Sequence, residues 1–397
     1  MKSIQLRKHA FVYGCLLAGA AHAAVPEDTE APVIRAGAVD IYPGFGLVER
    51  HNDNLFRSDA NKRSSFITVA SPNVLMAAKS GANEYSLSYG ADIGRYASSS
   101  VDNYDDHALT AQAELAFSTR ATLTLTPQFR IGHDDRGSTY AIATPTPNTW
   151  HSKGIFGSFK YGSEGAMGRI VVDASAVETT YQNNRAATAA FDKTVNSLGG
   201  TFYYRLAPAT YTFAQLSTTS FEYKDPTSTL DGDEQRAMLG VEWKATAQTS
   251  GSFKIGQLWK NFDSATRKDF SGTSWEGSVR WSPRSFMRLD LVTGRRSSES
   301  TGIGNLVWVT SHFADLSYDL SERATLHLVA AKLTEDFIQA GRKDETPSYG
   351  LRADYKLRKW LTLGAEYIRA VKSSTGWTGV DPEYHNNIYA VYLRTEL

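Results

Sequence analysis

Tyr104-Asp105-Asp106-His107-Ala108-Leu109-Thr110-Ala111-Gln112-Ala113-Glu114-Leu115-Ala116-Phe117 is followed, after Ser118, Thr119 and Arg120, by Ala121-Thr122-Leu123-Thr124-Leu125-Thr126-Pro127-Gln128-Phe129-Arg130-Ile131. In the first arm Leu109, Ala111, Ala113, Leu115 and Phe117 alternate with Thr110, Gln112 and Glu114. In the second, Leu123, Leu125, Phe129 and Ile131 alternate with Thr122, Thr124, Thr126, Gln128 and Arg130. A period of two gives a strand one apolar and one wet face. A three-residue link forces the arms into an antiparallel hairpin. Each arm has about ten residues of alternation, the length of a tilted bilayer-crossing strand of roughly 9–11 residues. The far ends open into polar sequence, Asp105-Asp106-His107 on one arm and His133-Asp134-Asp135-Arg136-Gly137 on the other. One tight end and one long polar end is the asymmetry of an outer-membrane hairpin.

The pattern repeats along the chain. Short links recur at Lys79–Asn83, Ser118–Arg120, Gly162–Ala166, Ala207–Pro208, Thr246–Gln248, Pro283–Arg284, Ser321–Arg323 and Arg358–Trp360. Nine longer polar links lie between them, the longest being Gly132–Asn148. That alternation requires an even number of strands with both termini on the short-link side. The expected fold is all-β: a transmembrane up-and-down antiparallel barrel of about 18 strands. A soluble sandwich would use Greek-key crossings instead. Trp243, Trp281, Trp360, Tyr161, Tyr318 and Tyr355 flank short links, while Trp150, Trp259, Trp275, Tyr96, Tyr181 and Tyr223 flank long ones. The reading takes them as two interfacial belts.

Composition and targeting set the remaining bounds. Lys2, Arg7 and Lys8, an apolar core from Ala10 to Gly19 and Ala21-His22-Ala23 read as a secretory signal over residues 1–23. Cys15, the sole cysteine, would leave with it. Residues 24–38 are expected to form a short periplasmic tail, and residues 39–397 the barrel. Loss of three basic residues takes the net charge from 0 to −3. No basic cluster suggests nucleic acid as a partner, and no run of 18 apolar residues suggests a spanning helix.

Inward parity assigns Asp92, Glu114, Arg130, Lys160, Asp173, Arg205, Glu242, Lys244, Lys254, Lys260, Glu276, Arg280, Arg288, Asp290, Asp315, Arg352, Asp354 and Glu366 to a water-filled lumen. A cation on the lipid side would cost roughly 2–4 kcal/mol at midplane. Both signs occur with a slight basic excess, so strong ion selectivity is not expected. Inward Phe156, Tyr203, Phe313 and Tyr392 could stack on sugar rings or simply pack the lumen. At the rim Asp105, Asp106, His107, His133, Asp134, Asp135 and Arg136 form one cluster. Pairing through the tight link places Asp105 opposite His133 and His107 opposite Ile131. Such a set could bind a cation, move a proton, or cap the hairpin with Arg136 answering the acids. No serine is tied to it by spacing, so an enzyme is not expected. No cofactor or dedicated metal site is expected either. The uncharged Thr139–Pro147 segment is read as a loop that folds inward to narrow the pore.

Asn52-Asp53-Asn54-Leu55-Phe56-Arg57, Ser71-Pro72, Tyr89-Gly90-Ala91-Asp92 through Arg95-Tyr96, Tyr104-Asp105-Asp106-His107 and His133-Asp134-Asp135-Arg136-Gly137 resemble a family of β-barrel porins encoded with exopolysaccharide and capsule synthesis genes. The likeness is strongest over residues 41–138. It implies an outer-membrane conduit through which a finished polysaccharide leaves the cell. A polymer made at the inner membrane would then need a separate periplasmic export protein and a synthesis complex as partners, with outer-membrane lipids around the wall. The alternative is a general or sugar-uptake porin for small solutes. A third reading is a surface enzyme or adhesive scaffold built on the rim cluster.

Overall fold

The computed structural model describes residues 34–138, 142–163, 165–244, 248–299, 303–379 and 381–396. The signal sequence, Cys15 and most of the expected tail lie outside them. The strands are β1 Ile34–Ala36, β2 Val39–Asn52, β3 Ser65–Ser80, β4 Asn83–Tyr96, β5 Tyr104–Ala116, β6 Ala121–Asp134, β7 Asn148–Tyr161, β8 Gly168–Tyr181, β9 Lys193–Ala207 and β10 Thr210–Tyr223. They continue as β11 Gly232–Trp243, β12 Thr249–Phe262, β13 Phe270–Arg284, β14 Met287–Glu299, β15 Leu306–Asp319, β16 Ala324–Phe337, β17 Arg342–Arg358, β18 Leu361–Thr375 and β19 Tyr384–Glu396. From β2 to β19 each strand pairs antiparallel with the next, and β19 closes on β2 from Ile388↔Asn52 to Glu396↔Gly44. The result is a closed barrel of 18 strands plus the short β1. Closure matters physically because hydrocarbon offers no partner to a backbone N–H or C=O at an open edge.

β1 extends the seam where β19 ends. It pairs with β2 over Ile34↔Ile41 to Ala36↔Val39, so the last part of the expected tail is strand. Pro43 lies between the two ladders on that side of β2, where its missing N–H removes no bond. The tight link after β5 is four residues, Phe117 to Arg120, closed by the Phe117 amide donating to the Ala121 carbonyl at 2.9 Å.

The arms are longer than the apolar alternation. β5 has 13 residues and β6 has 14. Neighbouring strands go on exchanging hydrogen bonds after the lipid-facing residues run out, so the wall projects above the membrane on the long-loop side. Leu216, Leu239, Ile255 and Leu328 point outward along the greasy band. On the short-link side Tyr161, Trp243, Trp281, Tyr318 and Tyr355 take the outward parity expected of an interfacial belt. On the long-loop side the expectation holds only for Trp259 and Trp275. Tyr96, Trp150, Tyr181 and Tyr223 sit on the inward parity of their strands. Their rings line the mouth instead of the headgroup layer. The backbone makes room for them: a Cβ on Gly132 would come 2.5 Å from the Trp150 ring.

Candidate functional site in the lumen and mouth

The ladder registers put every expected lumenal charge on the inward face except Lys244, which stands one residue past the end of β11. Near the short-link end Asp290 bridges Arg280 at 2.6 Å and Arg288 at 3.0 Å. Beside it His327 is wedged between two carboxylates, Nδ1 3.1 Å from Asp315 and Nε2 3.4 Å from Asp354. The Arg352 guanidinium lies 3.4 Å from Asp354, and the Tyr392 hydroxyl donates to the same carboxylate. At mid-height Glu276 joins Arg236 at 2.6 Å to Lys254 at 2.9 Å. Arg169 lies over the Tyr203 ring, 4.1 Å from its centre. Cross-strand pairs of opposite charge hold these long side chains against the wall and soften the field of either sign in the bore.

The long-loop half is different. β14 continues to Glu299, but its ladder with β13 stops at Trp275↔Arg295, while its pairing with β15 continues to Glu299↔Leu306. The tip of the β14–β15 hairpin therefore parts from β13 while staying paired to β16 through Val307↔Phe337. Parity would turn Ser297 and Glu299 outward. Instead Ser297 donates to Glu234 on the inner face of β11, and Glu299 pairs with Lys193 on β9. Leu306 and Trp308, also outward by parity, pack on Leu258 of the inner β12 face together with Phe262 and Phe270. Val307 and Val309, from the other side of the same strand, pack on Phe337. All four residues from Leu306 to Val309 are buried. The hairpin tip is thus folded over the inner face of β12 and β13, and the apolar contact of Leu306 and Trp308 holds it there. Arg267 ties the neighbouring loops above it, donating to the Thr229 hydroxyl at 2.8 Å and to the Gly304 carbonyl at 3.2 Å.

The inward fold buries charge. Lys260 is only 5 % exposed, with its ammonium 3.3 Å from the centre of the Phe221 ring. On the inner faces of β16 to β18, Lys372 meets Asp344 at 2.6 Å, and Arg342 and Ser374 bind the same carboxylate. Asp344 and Lys372 are 0 % and 4 % exposed.

The rim cluster divides. Asp106 lies inward beside Asp92 in the ladder, and His133 Nδ1 is 2.9 Å from it. His133 Nε2 faces Asp135 at 3.3 Å, and the ring stacks on Tyr104 with centres 4.1 Å apart. His133 therefore meets Asp106, not Asp105. Asp105 and His107 are on the outer face, held by Arg95 at 2.7 Å and by the Tyr89 hydroxyl at 2.9 Å. Asp134 accepts from the Trp150 indole at 3.0 Å and the Tyr181 hydroxyl at 3.2 Å. Arg136 answers an acid outside the cluster, Asp102, and stacks on Phe56. Burial pushes the Asp135 carboxyl up, but the His133 hydrogen bond and the nearby Arg57 charge outweigh it and hold the group below the usual carboxylate range. No group of three or more His, Cys, Asp or Glu is placed to hold a metal among the described residues. The contacts of His133 are those of a hairpin clamp, which favours the capping reading of this cluster.

The Thr139–Pro147 loop is described from Ile142 onward. There Asn148 donates to the Ile142 carbonyl at 2.9 Å, Asn183 to Pro147 at 2.9 Å and Arg136 to Pro145 at 2.9 Å. This part is clamped to the rim, and the element folded into the bore is the β14–β15 hairpin.

The family model described as putative beta-barrel porin 2 matches residues 29–396. The chain belongs to that family. It is a porin of the bacterial outer membrane. Among solved structures it is similar to OccK2 (OpdF) of Pseudomonas aeruginosa, with TM-score 0.52, 12% identity, and coverage of 90% of this chain and 98% of that one. OpdK of the same organism gives TM-score 0.51 and 12% identity over 90% of this chain and 99% of that one. A structure of OccK2 (OpdF) in complex with glucuronate also gives TM-score 0.51 at 12% identity, covering 90% and 98% of the two chains. At such identity the likeness concerns the fold. No curated protein matches significantly.

In this porin the sequence reading misses Arg169, Arg236, Lys193, Glu234 and His327. All five take the inward parity of their strands and were open to the same alternation argument. Ser297, Glu299, Leu306 and Trp308 carry no such signal, because their parity points the wrong way once the hairpin tip parts from β13.

Proposed function

We propose that this porin is a passive conduit for small polar solutes, narrowed by the inward-folded tip of the β14–β15 hairpin. The observation behind this reading is the burial between the tip and the inner wall: Leu258 of the wall is 0 % and Trp308 of the tip 2 % exposed. A segment laid with its Leu306–Trp308 face against the inner wall takes up bore that a chain polymer would need. The mixed charges suit polar solutes of either sign. Among the structural neighbours, complexes with glucuronate and vanillate concern small molecules, which agrees with this choice. Liposomes carrying the protein should swell in monosaccharides and amino acids and swell progressively less as solute size grows. Equal permeation by long oligosaccharides would overturn the proposal.

The second reading is export of a polysaccharide, with a periplasmic export protein and synthesis complex supplying it. Tyr96, Trp150 and Tyr181 favour it by lining the mouth with rings on which sugars could slide. It requires the hairpin tip to move aside. A clean deletion strain that traps polymer inside the cell would support it, and normal surface polymer would exclude it.

A further inference from the structure

The backbone ladder between β5 and β6 parts at the long-loop rim, where, among the described residues, only the His133 contacts to Asp106 and Tyr104 bridge it. The ladder runs up to His107↔Ile131 and ends. Neither strand ends there: β5 stays paired to β4 through Gly94↔Tyr104, and β6 to β7 through Asp134↔Asn148. Each strand is held by its outer neighbour while the seam between them parts for three residues. Lower down, the same ladder is interrupted opposite Pro127, which has no N–H to give. Elsewhere in the barrel the ladders continue to the strand ends or are broken only locally, apart from the hairpin already described.

A cavity of about 510 Å³ occupies the parted seam. Small-molecule sites span roughly 300–1,000 Å³. Its lining includes residues from both faces of the wall, Asp105 from the outer and Asp106 from the inner. Each carboxylate already has its own partner, the Arg95 guanidinium for Asp105 and the His133 ring for Asp106. The pocket therefore offers planar acceptors without a large net charge. Val101 and Ile131 supply apolar surface, and Val101 is about half exposed.

We infer that the outer face of the parted β5–β6 seam is a binding site for a pyranose saccharide, a ring hydroxyl on Asp105 and the C–H face of the ring on Val101 and Ile131. A simple cation is the poorer fit, since both acids are already matched. A simple anion is poorer too, since Arg95 is matched by Asp105. The site stands at the long-loop rim, where a saccharide could arrive dissolved or as the headgroup of an outer-leaflet glycolipid. The two sources share this chemistry. The inference does not depend on the direction or size limit of transport.

The test is calorimetric titration of the full-length porin, in a sugar-free detergent, with maltose, cellobiose, sodium acetate and choline. Saturable binding of a disaccharide is expected, weakened at least tenfold by Val101→Trp, which fills the pocket without removing a hydrogen bond. Asp105→Asn should weaken it as well. Single-channel conductance should be unchanged in Val101→Trp, which separates this site from the bore. In lipid vesicles, loss of disaccharide binding on adding lipopolysaccharide assigns the site to a headgroup glycan, and persistence assigns it to a dissolved sugar. No saturable binding of either disaccharide, equal affinity in Val101→Trp, or preference for acetate or choline would overturn the inference.

Discussion

The two ends of this barrel obey one alternation rule and reach opposite outcomes. At the short-link end Tyr161, Trp243, Trp281, Tyr318 and Tyr355 point out to the headgroups, and the Arg280–Asp290–Arg288 bridge stays partly exposed in the bore. At the long-loop end Tyr96, Trp150, Tyr181 and Tyr223 point in, and an apolar hairpin tip is folded against the inner wall. The difference lies in what stands outside the wall. Where hydrocarbon and headgroups flank the strands, rings gain by facing outward. Where the wall rises above the membrane, both sides are wet, and apolar groups are stabilised only by loops and hairpins folded over the mouth.

The largest effect should come from removing that covering. Replacing residues 296–308 by a short turn should raise single-channel conductance several-fold, whereas Arg280→Ser and Arg288→Ser at the other end should change it by less than about twofold. Equal effects at both ends would erase the contrast. Stability should follow the same division. Lys372→Met leaves Asp344 buried beside fewer cations and should cost about 3–5 kcal/mol, read from urea unfolding in bilayers. Arg280→Met breaks a half-exposed pair and should cost at most about 1 kcal/mol.

Fluorescence sharpens the comparison at single residues. In single-tryptophan variants, brominated lipid should quench Trp281 strongly and leave Trp150 and Trp308 nearly untouched. Quenching of Trp150 by lipid would return it to an outer belt. The smallest effect concerns the clamp between the loop after β2 and the start of β19. Slight burial pushes Asp59 up, but the amide and ring of His385 and the ammonium of Lys62 more than offset it, drawing the pKa down to about 2. A depressed carboxyl stabilises fully above its unfolded value of about 4 and loses that contribution as the pH falls toward 2. Hydrogen-exchange protection in this loop, corrected for the intrinsic rate at each pH, should therefore fall below about pH 4 in the native protein, and Asp59→Asn should remove that dependence.

The barrel itself was legible in the chain. Leu109 to Ile131 and its repeats alternate because one face of each strand meets lipid and the other water. Short and long links alternate because an up-and-down wall has two unlike ends. Parity also placed lumenal charges as far apart in sequence as Asp92 and Glu366. The rim cluster was legible as a group but not in its pairings. His133 turns to Asp106 because the β5–β6 ladder ends below it, and no local residue pattern announces where a ladder ends.

Sequence alone thus determined strand number, topology, the greasy outer face and the charged inner one, since each follows from a period of two and from link length. Only the tertiary structure decided what occupies the bore. Leu306, Val307 and Trp308 stand before the strand expected from Val309, an apolar run without the alternation that would say which way it faces. The burial of Leu306 and Trp308 depends on Leu258, three strands back on β12, which they meet only once the tip has parted from β13 and folded over the inner face.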